Sequence, residues 1–236
     1  MTRKLYVIFP VVIIVIAAVV ITFALSATNN NDRYDNNMNP ELPVNDSRQS
    51  VFTTGSPLLG SPNASIIMLE FGDYQCLMCE RYFDNTEHNI LRNYVESGKL
   101  KIIFMDFAFI GPDSILAAQS AHCAEDQGKY WQYHDELYSN WDGENTGWAS
   151  KRNLKNFATN IGLDNNNFNE CLDSGKYASK VENNMIIGKQ LEVTGAPTFF
   201  IFKSSSDMEK IIGNVEKIVG AQPYSTFSNV LDSMLN

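Results

Sequence analysis

Basic residues are in short supply, with 18 Lys and Arg against 27 Asp and Glu, for a net charge of −9. That balance argues against nucleic acid as a partner, because phosphate binding needs a basic face. Histidine, with three copies, and cysteine, with four, are also scarce. The Cys-x-x-Cys spacing occurs once, at Cys76 and Cys79, and no second such pair completes a four-ligand zinc site. His122, Cys123 and Cys171 lie far along the chain in segments of helical pattern. Strand character is missing between Phe107 and Pro197. Branched apolar residues are nearly absent from 26–50, so that stretch cannot bury enough surface to fold and reads as a flexible polar linker.

Elsewhere apolar residues are plentiful, and the 44% hydrophobic content of the 236-residue chain suits one domain of moderate size or two small ones. Residues 5–25 form an apolar run preceded by Arg3 and Lys4. It is long enough to cross a bilayer as a helix, and the basic residues before it orient the rest of the chain outward. A single-pass membrane anchor is the favoured reading of 1–25. A signal segment cleaved near Ala24-Leu25-Ser26, releasing a secreted or periplasmic domain, is the alternative. Both export the domain, and all four cysteines lie downstream, where disulfides persist.

The chain is organised around Glu70-Phe71-Gly72-Asp73-Tyr74-Gln75-Cys76-Leu77-Met78-Cys79, an apolar strand running into a helix that begins at the cysteines. Thiols three apart at a helix start share one face, and the backbone N–H groups there favour an anion. The thiolate attacks disulfides and leaves from them, so Cys76 is expected to be the nucleophile and Cys79 the resolving thiol. A structural disulfide at this spacing would constrain the unfolded chain little. A third reading is a copper chaperone using the soft ligands Cys76, Met78 and Cys79.

In chain order, the domain begins near Val51. Residues 66–71 read as a strand, 77–97 as a helix and 100–107 as a second strand, a βαβ unit whose strands run parallel. Helical periodicity then marks 113–127, 130–139, 154–161, 168–172 and 177–191, an insertion at about 112–191. Strands return at 198–202 and within 209–219, and 223–235 closes the chain as an amphipathic helix. His88, His122 and His134 read as core or rim residues rather than catalysts. Asn45-Asp46-Ser47 and Asn63-Ala64-Ser65 match the glycosylation acceptor pattern, a short triplet that recurs by chance.

Five stretches, in this order, resemble the DsbA-like thiol-disulfide oxidoreductases: Gly60-Ser61-Pro62-Asn63-Ala64, Glu70 to Cys76, Ala121 to Trp131, Thr194 to Phe200, and Val219 to Tyr224. The resemblance implies a thioredoxin-like α/β fold with an inserted α-helical subdomain, and thiol-disulfide exchange without a cofactor or metal. By similarity, Pro197 is the cis proline facing the redox pair. Ala196 and the intervening Leu77 and Met78 contact substrate by β-augmentation. Glu70, on the strand beneath the site, relays a proton to or from Cys79. Asp73 is expected nearer the surface, capping the helix. Cys123 and Cys171 form a structural disulfide. The best-known family members carry Pro-His where this chain has Leu77-Met78, so Cys76 should be less acidified and the couple less oxidising. Expected partners are cysteine-containing exported proteins and a membrane quinone-linked thiol oxidase, or a membrane electron donor if the protein is a reductase or isomerase.

Overall fold

A computed structural model describes residues 54–204 and 214–236. The apolar run at 5–25, the linker at 26–50, the Asn45 triplet, the start near Val51 and the first part of the 209–219 segment lie outside these residues. Among the described residues, no helix is long and apolar enough to cross a membrane.

Strand β1 is Ile66–Gly72 and β2 is Leu100–Asp106. They pair in parallel, Glu70 opposite Phe104, as a right-handed βαβ crossover requires. Both strands are buried along their whole length, which is why they read as continuous apolar runs rather than alternating ones. Strand β3, Thr198–Lys203, runs antiparallel on the other side of β1, and β4, Glu216–Val219, antiparallel to β3. The sheet order is therefore β2-β1-β3-β4.

Between β1 and β2 runs one continuous helix, α1, over residues 77–95. Its α-helical turns Leu77–Tyr82 and His88–Ile90 alternate with π-helical segments Phe83–Glu87 and Leu91–Val95. Together with α7, Tyr224–Leu235, it covers one sheet face. Tyr82, Ile90 and Tyr94 of α1 and Phe227 and Leu231 of α7 enclose Ile66, Met68, Ile102, Phe199 and Ile201 there.

The inserted helices are α2 (Pro112–Glu125), α3 (Tyr130–Ser139), α4 (Lys151–Asn160), α5 (Asn165–Ser174) and α6 (Ala178–Gln190). The first four build a core of their own around Ala117, Tyr133, Leu137, Leu154 and Phe168, and Tyr74, Cys76, Cys79 and Phe104 belong to it. Helix α6, read from its periodicity as the end of the insertion, instead covers the second sheet face. Its Ile187, with Leu191 and Val193 beyond it, lies against Leu69, Phe71, Met105 and Phe200. The approach is close: a Cβ at Gly188 would sit 2.7 Å from the Phe107 ring. The redox motif therefore stands where the sheet, α1 and the insertion core meet.

Candidate active site

The strand ends at Gly72, and the loop 73–75 delivers Cys76 as the N-cap of α1, with extended backbone (φ −71°, ψ 122°). Asp73 shapes this loop. The sequence places it nearer the surface as a helix cap, but it is 1% exposed and no side chain caps α1 at Cys76. One carboxylate oxygen accepts from the Gln75 amide (2.9 Å), and the other from the Phe109 and Ile110 amides (2.9 and 3.0 Å). The chain between β2 and α2 folds over Asp73, and such long-range covering leaves no local signal. Burial raises its pKa, and the amides only partly offset this.

Gln75 is fully buried and clamped by the insertion. Its side-chain amide donates to Ser114 Oγ (2.9 Å), its Oε1 accepts from the Asn145 amide (2.9 Å), and its backbone carbonyl accepts from Trp141 Nε1 (2.9 Å). From the same 140–147 loop, Glu144 Oε1 accepts the Leu77 N–H at 3.1 Å. Glu144 was not legible as a site residue, because nothing in a polar loop indicates which helix end it will reach.

Cys76 and Cys79 are both free thiols, and their pKa values move apart. Cys76 is lowered, chiefly because the Cys79 thiol donates to it, with the Cys79 and Met78 amides adding and partial burial opposing. Cys79, 1% exposed, is raised well above the ordinary value by burial and by that same hydrogen bond. Of the two, Cys76 is therefore the thiol that ionises more easily and Cys79 the one that holds its proton. The Ala196–Pro197 peptide bond is cis, and the Ala196 carbonyl lies 3.4 Å from the Cys76 sulfur. Pro197 is buried, Leu77 and Ala196 half-buried, and Met78 exposed. Arg81 Nη1 donates to the Met78 sulfur at 3.8 Å, which sets a cation where a chaperone would need an open soft ligand.

Glu70 shares with Met68 the sheet face that looks toward α1. It is 2% exposed and has Phe104 and Phe199 as its partners in register, so it is not a solvated edge carboxylate. Burial, and then the charge of Glu87, hold its pKa well above the ordinary carboxylate range. Glu87 is a second buried acid, also 2% exposed, that sequence reasoning passed over. A signal was present: it falls on the stripe Cys79, Tyr82/Phe83, Thr86/Glu87, Ile90, Tyr94 that α1 turns inward, where a charged residue is out of pattern.

Away from the thiols, Cys123 and Cys171 are joined by a disulfide that ties α2 to α5, so neither sulfur is available to a four-ligand site with Cys76 and Cys79. No cluster able to hold a metal ion occurs among the described residues. Beside this bridge, His122 is fully buried with Nε2 2.8 Å from Asp106 Oδ2 and Nδ1 2.8 Å from Glu125 Oε2. Burial opposes its protonation, but the two carboxylates outweigh it and raise the pKa. Asn184 and Lys180 of α6 complete the network through Asp106 and Glu125. His134 is likewise buried, and His88 lies at the surface against Phe83.

Comparison with known proteins places this arrangement in context. Residues 53–221 match the family model described as thioredoxin. The chain is 26% identical over 170 residues to disulfide bond formation protein D of Bacillus subtilis, covering 69% of this chain and 77% of that protein. Among solved structures, alpha-DsbA1 of Wolbachia pipientis superposes with a TM-score of 0.63 at 26% identity, over 75% of this chain and 89% of that one. Oxidised BdbD of Bacillus subtilis superposes with a TM-score of 0.67 at 22% identity, over 78% and 94%, and speaks to the fold alone.

Proposed function

The chain belongs to the thioredoxin family, and from that premise we propose that it is an extracytoplasmic thiol-disulfide oxidoreductase that forms disulfides in exported proteins through Cys76 and Cys79. The observation that carries the reading is geometric: Cys76 stands at the start of α1, 3.4 Å from the Ala196 carbonyl of the cis Ala196–Pro197 bond, with Cys79 buried one turn further in. The sulfur with the lower pKa is the better leaving group, and the shifts run that way, down at Cys76 and up at Cys79. Similarity to disulfide bond formation protein D supports the oxidative direction.

In the proposed cycle a substrate thiolate attacks the Cys76 sulfur of the oxidised enzyme. The sulfur–sulfur bond breaks, Cys79 leaves with the electron pair, and Glu70 supplies its proton. A second substrate thiolate then attacks the substrate sulfur of the mixed disulfide and expels Cys76 as its stabilised thiolate. Two electrons have passed to the enzyme and one disulfide to the substrate. A membrane quinone-linked oxidase removes those electrons, with the run at 5–25 holding the domain near it. The substrate strand lies along the Ala196–Pro197 backbone by β-augmentation, beside Leu77 and Met78. Exposed apolar side chains suit an unfolded polypeptide there: Met78, Phe109, whose amide shares Asp73 with Gln75, and Val219, whose neighbour Gly220 donates to the Pro197 carbonyl (2.8 Å).

Cys79→Ser tests the assignment, since it should accumulate a mixed disulfide on Cys76 when exported thiol proteins are offered, and Cys76→Ser should accumulate none. An empty Cys79→Ser trap would overturn it. One observation favours a second reading, a reductase or isomerase: the Glu144 carboxylate on the first helical N–H, with no proton donor at Leu77 or Met78, weakens stabilisation of the Cys76 thiolate. Equilibration in glutathione buffers separates the two, because a potential far below about −250 mV excludes the oxidase.

A further inference from the structure

Beneath the thiols lies a set of buried polar atoms that the cycle above leaves unexplained. Glu87 Oε2, His134 Nε2, Tyr82 Oη and Tyr138 Oη have no hydrogen-bond partner among the described residues. They come from two facing helices, α1 and α3. Glu87 Oε1 lies 3.9 Å from His134 Nε2, a gap that one water molecule or a small rotation closes. The other ring nitrogen, Nδ1, is 3.0 Å from the Tyr74 hydroxyl, which is 3.3 Å from that of Tyr130. The Tyr138 ring packs on His134, Tyr74 and Phe83 at centroid distances of 5.0, 5.1 and 5.2 Å. Unsatisfied buried polar groups are costly, and four in one place call for a role.

We propose that Glu87 and His134 extend Glu70 into a buried proton path, which connects Cys79 to solvent at the surface pair His88 and Asp135. The proposal rests on the reading of Cys76 and Cys79 as the redox pair. When Cys79 leaves with its electron pair it takes the Glu70 proton. Glu70 is refilled from Glu87, and Glu87 from solvent past Asp135 and His88, with His134 as the neutral acceptor that orients the Glu87 proton. On enzyme reoxidation the protons run outward by the same route. Phe104 and Phe199 flank Glu70 in register, and Glu87 is the carboxyl whose charge bears on it.

The groups facing this path are Glu70 and Tyr74 from β1 and its loop, Cys79, Tyr82, Glu87 and His88 from α1, Asp106 from β2, and Tyr130, His134, Asp135 and Tyr138 from α3. Their electrostatics suit proton transfer near neutral pH. Burial, and then Asp135, push Glu87 up to about 8, and burial drives His134 down to about 3. Asp135 is raised by partial burial to about 6, with His88 opposing. The outer step, from Glu87 to Asp135, therefore meets a more easily ionised acid.

The test is infrared difference spectroscopy of the intact protein on reduction of the Cys76–Cys79 disulfide, beside the pH profile of thiol oxidation. Two protonated-carboxyl C=O bands should respond to reduction in the unmodified protein, Glu70→Gln removing one and Glu87→Gln the other. Glu87→Gln should slow oxidation about a hundredfold at pH 7, the low end of the range for positioned proton transfer, and delete one ionisation from the profile. Adding it to Glu70→Gln should cost nothing further, because the path is already cut. A single responding band in the unmodified protein overturns the proposal even if Glu87→Gln fails to fold. An unchanged profile in a folded Glu87→Gln, or additive losses in the double variant, overturns it as well. All these outcomes leave Cys79→Ser trapping untouched, so failure of the path and failure of the redox reading are told apart.

Discussion

Replacing Glu144 with Gln should make the redox pair more oxidising. The carboxylate accepts the Leu77 N–H at 3.1 Å, at the helix terminus whose partial positive charge stabilises the Cys76 thiolate. Gln retains an acceptor oxygen, so the loop contact survives while the negative charge goes. An exposed charge at a helix terminus is worth about 0.3–1 kcal/mol. At about 1.4 kcal/mol per pKa unit, the Cys76 pKa should fall by about 0.2–0.7. The reduced enzyme carries the thiolate, so the same energy raises the potential by about 6–20 mV. Thiolate absorbance at 240 nm against pH measures the first quantity, and equilibration in glutathione buffers measures the second. Because the interaction is solvent-exposed, the difference between variant and parent should shrink in 1 M salt, where the screening length is about 3 Å. A Cys76 pKa that stays fixed or rises would refute this account, and a salt-independent shift would assign it to loop geometry instead of charge.

Two further outcomes concern stability. The disulfide closes a loop of sequence separation 48, worth about 4 kcal/mol in the chain-entropy model, so Cys123→Ala/Cys171→Ala should lose about that much in urea denaturation while keeping the potential of Cys76 and Cys79. His122→Gln should cost about 3 kcal/mol at pH 5.5, because it leaves the buried Asp106 without its cation and Glu125 with Lys180 alone. The folded pKa of His122 is raised, so its stabilisation is full below the unfolded value of about 6.5 and is lost as pH rises through the folded value. Glu125 is lowered on balance, its buried setting outweighed by His122 and Lys180, so its share is lost only as pH falls through its folded value. The gap between variant and parent should therefore hold up to about pH 6.5 and narrow above it, and urea midpoints that diverge with rising pH would contradict the assignment.

Element order and type were legible because each element here obeys one periodicity. Strands β1 and β2 are uninterrupted apolar runs, and α3 occupies the residues its stripe marked, Tyr130–Ser139. The thiol pair was legible from its spacing, and Glu70 was singled out by the family resemblance, six residues before Cys76 on the strand beneath it. What escaped depends on which elements meet in space. Asp73 is buried because the chain after β2 crosses over it, and Glu144 acts because its loop reaches the start of α1. Helix α6 carries no sequence mark distinguishing a helix that covers a sheet from one that packs on other helices. Glu87 was the exception, a readable signal hidden by treating α1 as a plain amphipathic helix.

The clamp on Gln75 has a mechanical consequence. Its side chain and backbone are bound by Ser114, Trp141 and Asn145, all from the insertion, while its amide is tied to Asp73 at the end of the sheet. The residue preceding the nucleophile is thus a rivet through two layers. Any tilt of the helical layer against the sheet drags the Cys76 backbone with it and changes the sulfur's distance from Ala196. A polypeptide pressing on the insertion while its thiol approaches the site would be felt at the reacting sulfur, so docking and chemistry share one joint.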